Sequence, residues 1–282
     1  MKNILLPTDF SENAWNATRY AINLYKEESC RFFLMNSYDV NGYYENSVMD
    51  PVPAKEELIK HKQDSEEKLN RLSEVIKEGF SNPKHKFNCV ALNKTLIDSI
   101  NNELSQNEFE VILIGTQGTT GAYEVIFGSN TIQILNEIKN CPILAVPSNV
   151  SFQELNEIVL ATSYKIEHSK EDLKYLIQLA KQNNSAIRII HIEESGGLSI
   201  SQKHNKYHLE TCLKELPHSA HSLAHVTIPI GIYCFTESRG SDMIVFINKK
   251  HNFLEKLLFK PLYKDLGNYS RIPLLVLHRS NE

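Results

Sequence analysis

The chain lacks several features, and each absence narrows what it can be. No apolar run approaches the ~18 residues that a membrane-spanning helix needs, so no membrane partner is expected. Its five cysteines, Cys30, Cys89, Cys141, Cys212 and Cys234, form no Cys-x-x-Cys pair. Scattered thiols in odd number argue against a disulfide framework and for a reducing compartment. Basic charge is not in excess, with 30 Lys and Arg against 34 Asp and Glu and a net charge of -4. A broad nucleic-acid-binding face is therefore not expected, although a local anion site stays open. The opening MKNILLPTDF runs straight into a strand-like segment with no signal sequence ahead of it, so a cytoplasmic location is expected.

What is present reads as two similar halves. A chain of 282 residues is long enough for two domains of ordinary size. KNILLPT at 2–8 and NEIVLAT at 156–162 are both short apolar runs ending in Thr. Helical spacing follows each, at Ala14, Ala17, Ala21 and Leu24 after a capping Ser11, and at Leu173, Leu176, Ile177 and Ala180. Next come the apolar runs Phe32–Met35 and Ile187–Ile192, then a long polar stretch that is helical over at least Glu56–Lys77. Each half ends on two further apolar runs, Glu110–Ile114 and Pro142–Val146 in the first, Asp242–Phe246 and Pro273–Leu277 in the second. Strands apolar on both faces and alternating with helices predict parallel sheets covered on each side. The fold class is thus α/β, with two tandem five-stranded parallel-sheet domains. The boundary is expected near Pro147–Glu154, giving domains 1–150 and 151–282. The last strands are exposed edges unless they pair with each other.

One loop carries chemistry. In IGTQGTTGAYEVIFGSNT, residues 114–131, Gly115, Gly118 and Gly121 follow a buried strand, and Gly128-Ser129 opens a helix. Glycine admits a ligand close to the backbone, and the N–H groups at a helix start attract anions. No Gly-Lys-Ser/Thr follows, so this is not a Walker A loop. The dinucleotide fingerprint is excluded as well, because it follows the first strand of its unit and this loop follows the fourth. Turn glycines in a tight connection are the competing reading.

The first half, residues 1–148, resembles the universal stress protein family. The resemblance rests on ILLPTDFS at 4–11, on Gly115-x-x-Gly118 followed after nine residues by Gly128-Ser129, and on Cys141-Pro142 before the last strand. It implies a sheet of order 3-2-1-4-5 and an adenine nucleotide, ATP with Mg or Mn, in the first domain. Asp9 would sit near the base with Asn36 and Ser37. Gly115 would lie by the ribose, and Gly118, Gly128, Ser129 and the Asn130 N–H would hold phosphates, with Pro7, Thr8, Ile114 and Gln117 as further nucleotide-binding residues. Gln117 and Asn130 depart from the residue types common there, and no Lys or Arg stands between Gly115 and Ser129. Such a sheet has its switch point between strands one and four, where open α/β sheets bind ligands. The resemblance further implies a stress-response or regulatory role. It also implies a pseudo-dimer of the two domains within one chain, with a homo-dimer of chains left open. A nucleotide-independent interaction module with a vestigial pocket is the alternative. No catalytic residue is assigned: Glu124 is the one acidic group in the loop, and at most slow hydrolysis is expected.

The second half does not repeat the loop. Ungapped alignment puts Ile247 at Gly115, Lys250 at Gly118, Lys260 at Gly128 and Pro261 at Ser129, while Ser163 stands at Asp9. Proline offers no N–H to a phosphate. Phe253, Leu254, Leu257 and Leu258 fit one helical face, read as packing. His204 and His208 are four apart, a spacing that can hold a metal ion, but surface histidines are the expected reading.

Overall fold

The structure, a computed structural model, describes residues 1–40, 55–116, 128–193, 196–248 and 272–279. It divides into two compact units, the first made of Met1–Thr116 with Gly128–Cys141 and the second containing the chain from Pro142 onward.

The first unit runs β1 (Lys2–Pro7), α1 (Glu12–Leu24), β2 (Cys30–Ser37), α2 (Lys55–Gly79), β3 (His85–Leu92), α3 (Leu96–Gln106), β4 (Val111–Thr116) and α4 (Ser129–Glu137). Its strands lie in the order β3-β2-β1-β4, and β1 pairs in parallel with β2 and with β4, as β2 does with β3. Consecutive residues Ile4, Leu5 and Leu6 of β1 and Val111–Ile114 of β4 are all buried. Neighbouring strand residues point to opposite faces, so burial of every residue in a run means that both faces are covered. At the edge, β3 instead exposes Lys86, Asn88 and Cys89. The Ser11 side chain caps α1 by accepting from the Ala14 N–H. The expected stripe Ala14, Ala17, Ala21 and Leu24 is buried.

The second unit runs β5 (Ile143–Pro147), β6 (Glu157–Ala161), α5 (Lys174–Asn183), β7 (Ala186–Ile192), α6 (Ile200–Cys212), β8 (His218–Leu223), α7 (Ile228–Arg239), β9 (Met243–Asn248) and β10 (Leu274–His278). Its strand order is β5-β10-β9-β6-β7-β8. Counted from β6, the five strands β6 to β10 give the order 3-2-1-4-5, all parallel. The last strand of each sequence half pairs with the other, as expected for two exposed edges. β5 and β10 run antiparallel, with Leu274 opposite Ala145, Leu275 opposite Leu144 and Val276 opposite Ile143.

A charged knot fastens the second unit. The Glu157 carboxylate on β6 accepts from Arg188 Nε on β7 at 2.8 Å, from Arg239 Nε and Nη2 at 2.6 and 2.7 Å, and from Ser241 Oγ at 2.9 Å. These donors hold its carboxyl down to about 2, with Arg239 the largest cause and partial burial opposing it.

Candidate functional site

The first unit's site is built where its parallel strands end. Thr8 extends the β1–β2 ladder, its N–H donating to Met35 O at 2.8 Å. The chain then turns sharply at Phe10, which has φ 64, a left-handed conformation that costs a non-glycine residue about 1–2 kcal/mol. Side chains on either side hold that turn. Thr8 Oγ1 accepts from the Phe10 N–H at 3.0 Å, and Asp9 Oδ1 accepts from the Ser11 N–H at 3.0 Å. The turn-stabilising role of Asp9 is therefore real. Its residue is exposed, and a carboxylate has capacity for further donors.

Asn36 is spent on both sides. Its Nδ2 donates to Thr8 O at 2.7 Å and its Oδ1 accepts from Ser65 Oγ at 2.8 Å. It thus ties the β1 turn to α2, with Ser37 and Pro7 beside it on the strand ends. Nothing in the sequence singled out Ser65, because its contact depends on the rotational phase of α2 relative to the sheet. Tyr38, next to Ser37, has its phenol pushed up by burial and by the Glu66 carboxylate. A cation also stands nearby. Lys68 on α2 lies 5.9 Å from the centre of the Phe10 ring and is paired with Asp64 at 2.7 Å. The loop sequence, which holds no basic residue, gave no sign of it.

The glycines divide by cause. A Cβ on Gly115 would lie 2.2 Å from the backbone oxygen of Asn13. Close packing of the first turn of α1 against the end of β4 therefore demands glycine here, whatever else the position does. Gly128 is the N-cap of α4, with φ -56 and no atom of the described residues within 4 Å of its would-be Cβ. Neither strain nor crowding demands glycine there. Ser129 is the first helical residue and not the cap, so it makes no capping bond. The first helical hydrogen bond runs from the Ile132 N–H to Gly128 O at 3.1 Å. The N–H groups of Ser129, Asn130 and Thr131 precede it and have no partner within the helix, with Ser129 and Asn130 exposed. Thr131 Oγ1 donates to Gly115 O at 3.4 Å, which joins this helix start to the end of β4.

Of the expected site residues, Pro7, Thr8, Asp9, Asn36, Ser37, Ile114, Gly115, Gly128, Ser129 and Asn130 all belong to the first unit. The register sets Ile4 opposite Val111 and Leu5 opposite Ile112. Gln117, Gly118 and Glu124 lie outside the described residues, as do Lys250, Lys260, Pro261 and the Phe253–Leu258 face.

A family model described as the universal stress protein family matches residues 1–147. The chain belongs to the universal stress protein family. A family member from Methanocaldococcus jannaschii is 26% identical over 147 residues, which is 51% of this chain and 81% of that protein. Among solved structures, a universal stress protein of Archaeoglobus fulgidus is similar over 99% of this chain and 98% of its own, with TM-score 0.73 and 17% identity. The cytoplasmic domain of a prokaryotic cation chloride cotransporter is similar over 99% of this chain and 95% of its own, with TM-score 0.56 and 12% identity. At those identities the likeness is one of fold, and it extends through the second unit.

The second unit of this universal stress protein repeats the turn with different residues. Thr162 N–H donates to Ile190 O at 3.0 Å, Tyr164 has φ 53, and Thr162 Oγ1 accepts from the Tyr164 N–H at 3.1 Å. His191 holds the position of Asn36, its Nδ1 donating to Thr162 O at 2.9 Å. Here the connection to the first helix spans 162–173, against 8–11 in the first unit. The first turn of α5 therefore starts much later along the chain than that of α1, whose approach requires Gly115. That is consistent with Ile247 at the matching position.

Of the histidine pair on α6, His208 is engaged locally. His208 Nδ1 meets His168 O at 3.2 Å and its Nε2 lies 3.4 Å from Glu167. Among the described residues no group of three or more His, Cys, Asp or Glu is placed to hold a metal ion. Nor is any helix among them long and apolar enough to cross a membrane.

Proposed function

We propose that the first unit binds an adenine nucleotide, ATP together with Mg or Mn, and that the protein acts as a cytoplasmic stress-response regulator through that binding. The observation that carries this reading is the uncapped start of α4 joined to the end of β4. Three first-turn N–H groups stand at the strand ends with Gly128, which no atom of the described residues crowds, and anions are favoured at such a helix start. Asp9 and the Pro7–Thr8 turn offer the polar edge a nucleoside needs. Ser129, Asn130 and Thr131 would hold phosphate oxygens. A divalent ion would then bind chiefly through the phosphates, since it takes oxygen ligands and usually keeps several waters.

The second unit is proposed as a structural counterpart within the same chain, carrying no ATP. Its Ser163 lacks the carboxylate of Asp9. Calorimetry of the whole chain with ATP, with and without EDTA, tests both points. One ATP per chain is expected, with affinity reduced by EDTA. A stoichiometry near two would overturn the second unit as a counterpart that carries no ATP, and no ATP binding together with no nucleotide co-purifying by mass spectrometry would leave the interaction-module reading in its place.

A further inference from the structure

The Glu157 knot continues onto the edge strand β8, where it ends on a serine and a histidine. Arg188 Nη1 donates to Ser219 Oγ at 3.0 Å, and Ser219 Oγ lies 2.8 Å from His221 Nε2. Residues two apart on a strand point to the same face, so β8 itself sets the pair side by side. The Phe235 ring of α7 packs on the imidazole with ring centres 5.1 Å apart. Ser219 and His221 are both half-exposed, on the last strand of the sheet, so a small molecule in solvent can reach them.

Chemistry fixes the direction of these bonds. A guanidinium only donates, so Ser219 Oγ accepts from Arg188. The hydroxyl hydrogen is then free to go to Nε2 of a neutral His221 ring, whose own hydrogen sits on Nδ1. Burial and the Arg239 and Arg188 cations hold His221 below its ordinary 6.5, with the Glu157 carboxylate opposing them. The hydroxyl is thus polarised from both sides, by a base that can take its proton and a cation that steadies charge on its oxygen. Among the described residues, Nη2 of Arg188 makes no hydrogen bond. The fold does not require this group. At the positions matching Glu157, Arg188, Ser219 and His221, the sheet of the first unit carries Asn3, Phe33, Asn88 and Val90.

We propose that Ser219 is a nucleophilic serine, with His221 as its base, that takes the acyl group of small carboxylic esters. Ser219 Oγ forms a bond to the carbonyl carbon as its proton passes to His221 Nε2. The ester C–O bond then breaks and the alcohol leaves with that proton, which gives O-acyl Ser219 and a neutral imidazole. The Arg188 guanidinium, with Nη2 to spare, would meet the negative charge that gathers on the carbonyl oxygen. The assignment holds whether or not the first unit binds ATP.

The test treats the whole chain with an alkyl fluorophosphonate and, separately, with p-nitrophenyl acetate, and locates the adducts by peptide mass spectrometry. A phosphonyl group on Ser219 is expected from the first, and acetyl-Ser219 with release of p-nitrophenolate from the second. Ser219→Ala should lose both adducts. His221→Gln, whose amide still bonds the hydroxyl but is no base, should slow both reactions by at least about tenfold. The wild-type rate should rise with pH as His221 loses its proton and level off above about pH 7, a measurement that serves if the variants do not fold. Failure of either reagent to label Ser219 would overturn the proposal. So would an equal rate in folded His221→Gln, or a wild-type rate that climbs without levelling to about pH 9, since a hydrogen-bond chain that is merely structural predicts those results.

Discussion

Gly115 and Gly128 look alike in the sequence and differ in what they do. With Asn13 O only 2.2 Å from any added Cβ, Gly115→Ala forces backbone apart at the junction of α1 and β4. Overpacking of this kind costs about 1–3 kcal/mol, to be read as a lower urea midpoint with an unchanged slope. Gly128→Ala meets no atom of the described residues within 4 Å and sits at an ordinary φ, so its fold should lose no more than about 1 kcal/mol, the usual range for an N-cap change. If α4 holds phosphates, the same change should weaken ATP binding. The pair therefore separates a glycine the fold needs from one a ligand would need. Equal stability loss in both variants with intact ATP binding in Gly128→Ala would remove the basis for assigning α4 to the ligand. The spacing of the glycines was legible in the sequence. Which one serves packing was not, because that depends on how closely α1 approaches β4.

At the scale of elements, alternation of apolar runs with helical stripes placed four strands in each half and several helices, and the order 3-2-1-4-5 followed from the resemblance; the edge strands β3 and β8 were not placed, because their partly exposed residues form no continuous apolar run. Side-chain clamps between elements were not legible. Ser65 on Asn36, and Gln202 and Asn205 on the 163–164 turn, depend on helix phase, which polar residues on a polar face do not reveal. The Glu157 knot is another such clamp, joining β6 to β7 and to the end of α7. It has a consequence for pH. The folded-state value of about 2 lies below the ordinary 4.5, so the knot stabilises fully above about pH 4.5 and its contribution is lost as pH falls toward about 2. Comparing urea midpoints of the wild type and Glu157→Gln should show a clear advantage for the wild type at about pH 7. That advantage should hold to about pH 5 and shrink below it. An advantage that stays constant down to about pH 3 would mean that the ion pairs contribute little beyond shape.

For the molecule as a whole, the strand that starts the second unit matters more than its length suggests. β5 has only five residues, all buried, and comes from the end of the first sequence half. It covers the edge of β10 through an antiparallel pairing. A chain begun at residue 151 keeps every parallel strand from β6 to β10 but leaves the outer edge of Leu274, Leu275 and Val276 without that partner. A bare apolar edge is a template for another chain. Residues 151–282 alone are therefore expected to self-associate through the bare edge of β10, an association that the whole chain, where β5 covers that edge, does not show. Size-exclusion chromatography with light scattering over a concentration series distinguishes the two. A peptide of residues 142–150 added to the shorter chain should suppress its association by adding the missing strand. If the shorter chain remains monomeric throughout, then β5 is dispensable as an edge cover, and the pairing of the two last strands is a consequence of the fold and not one of its supports.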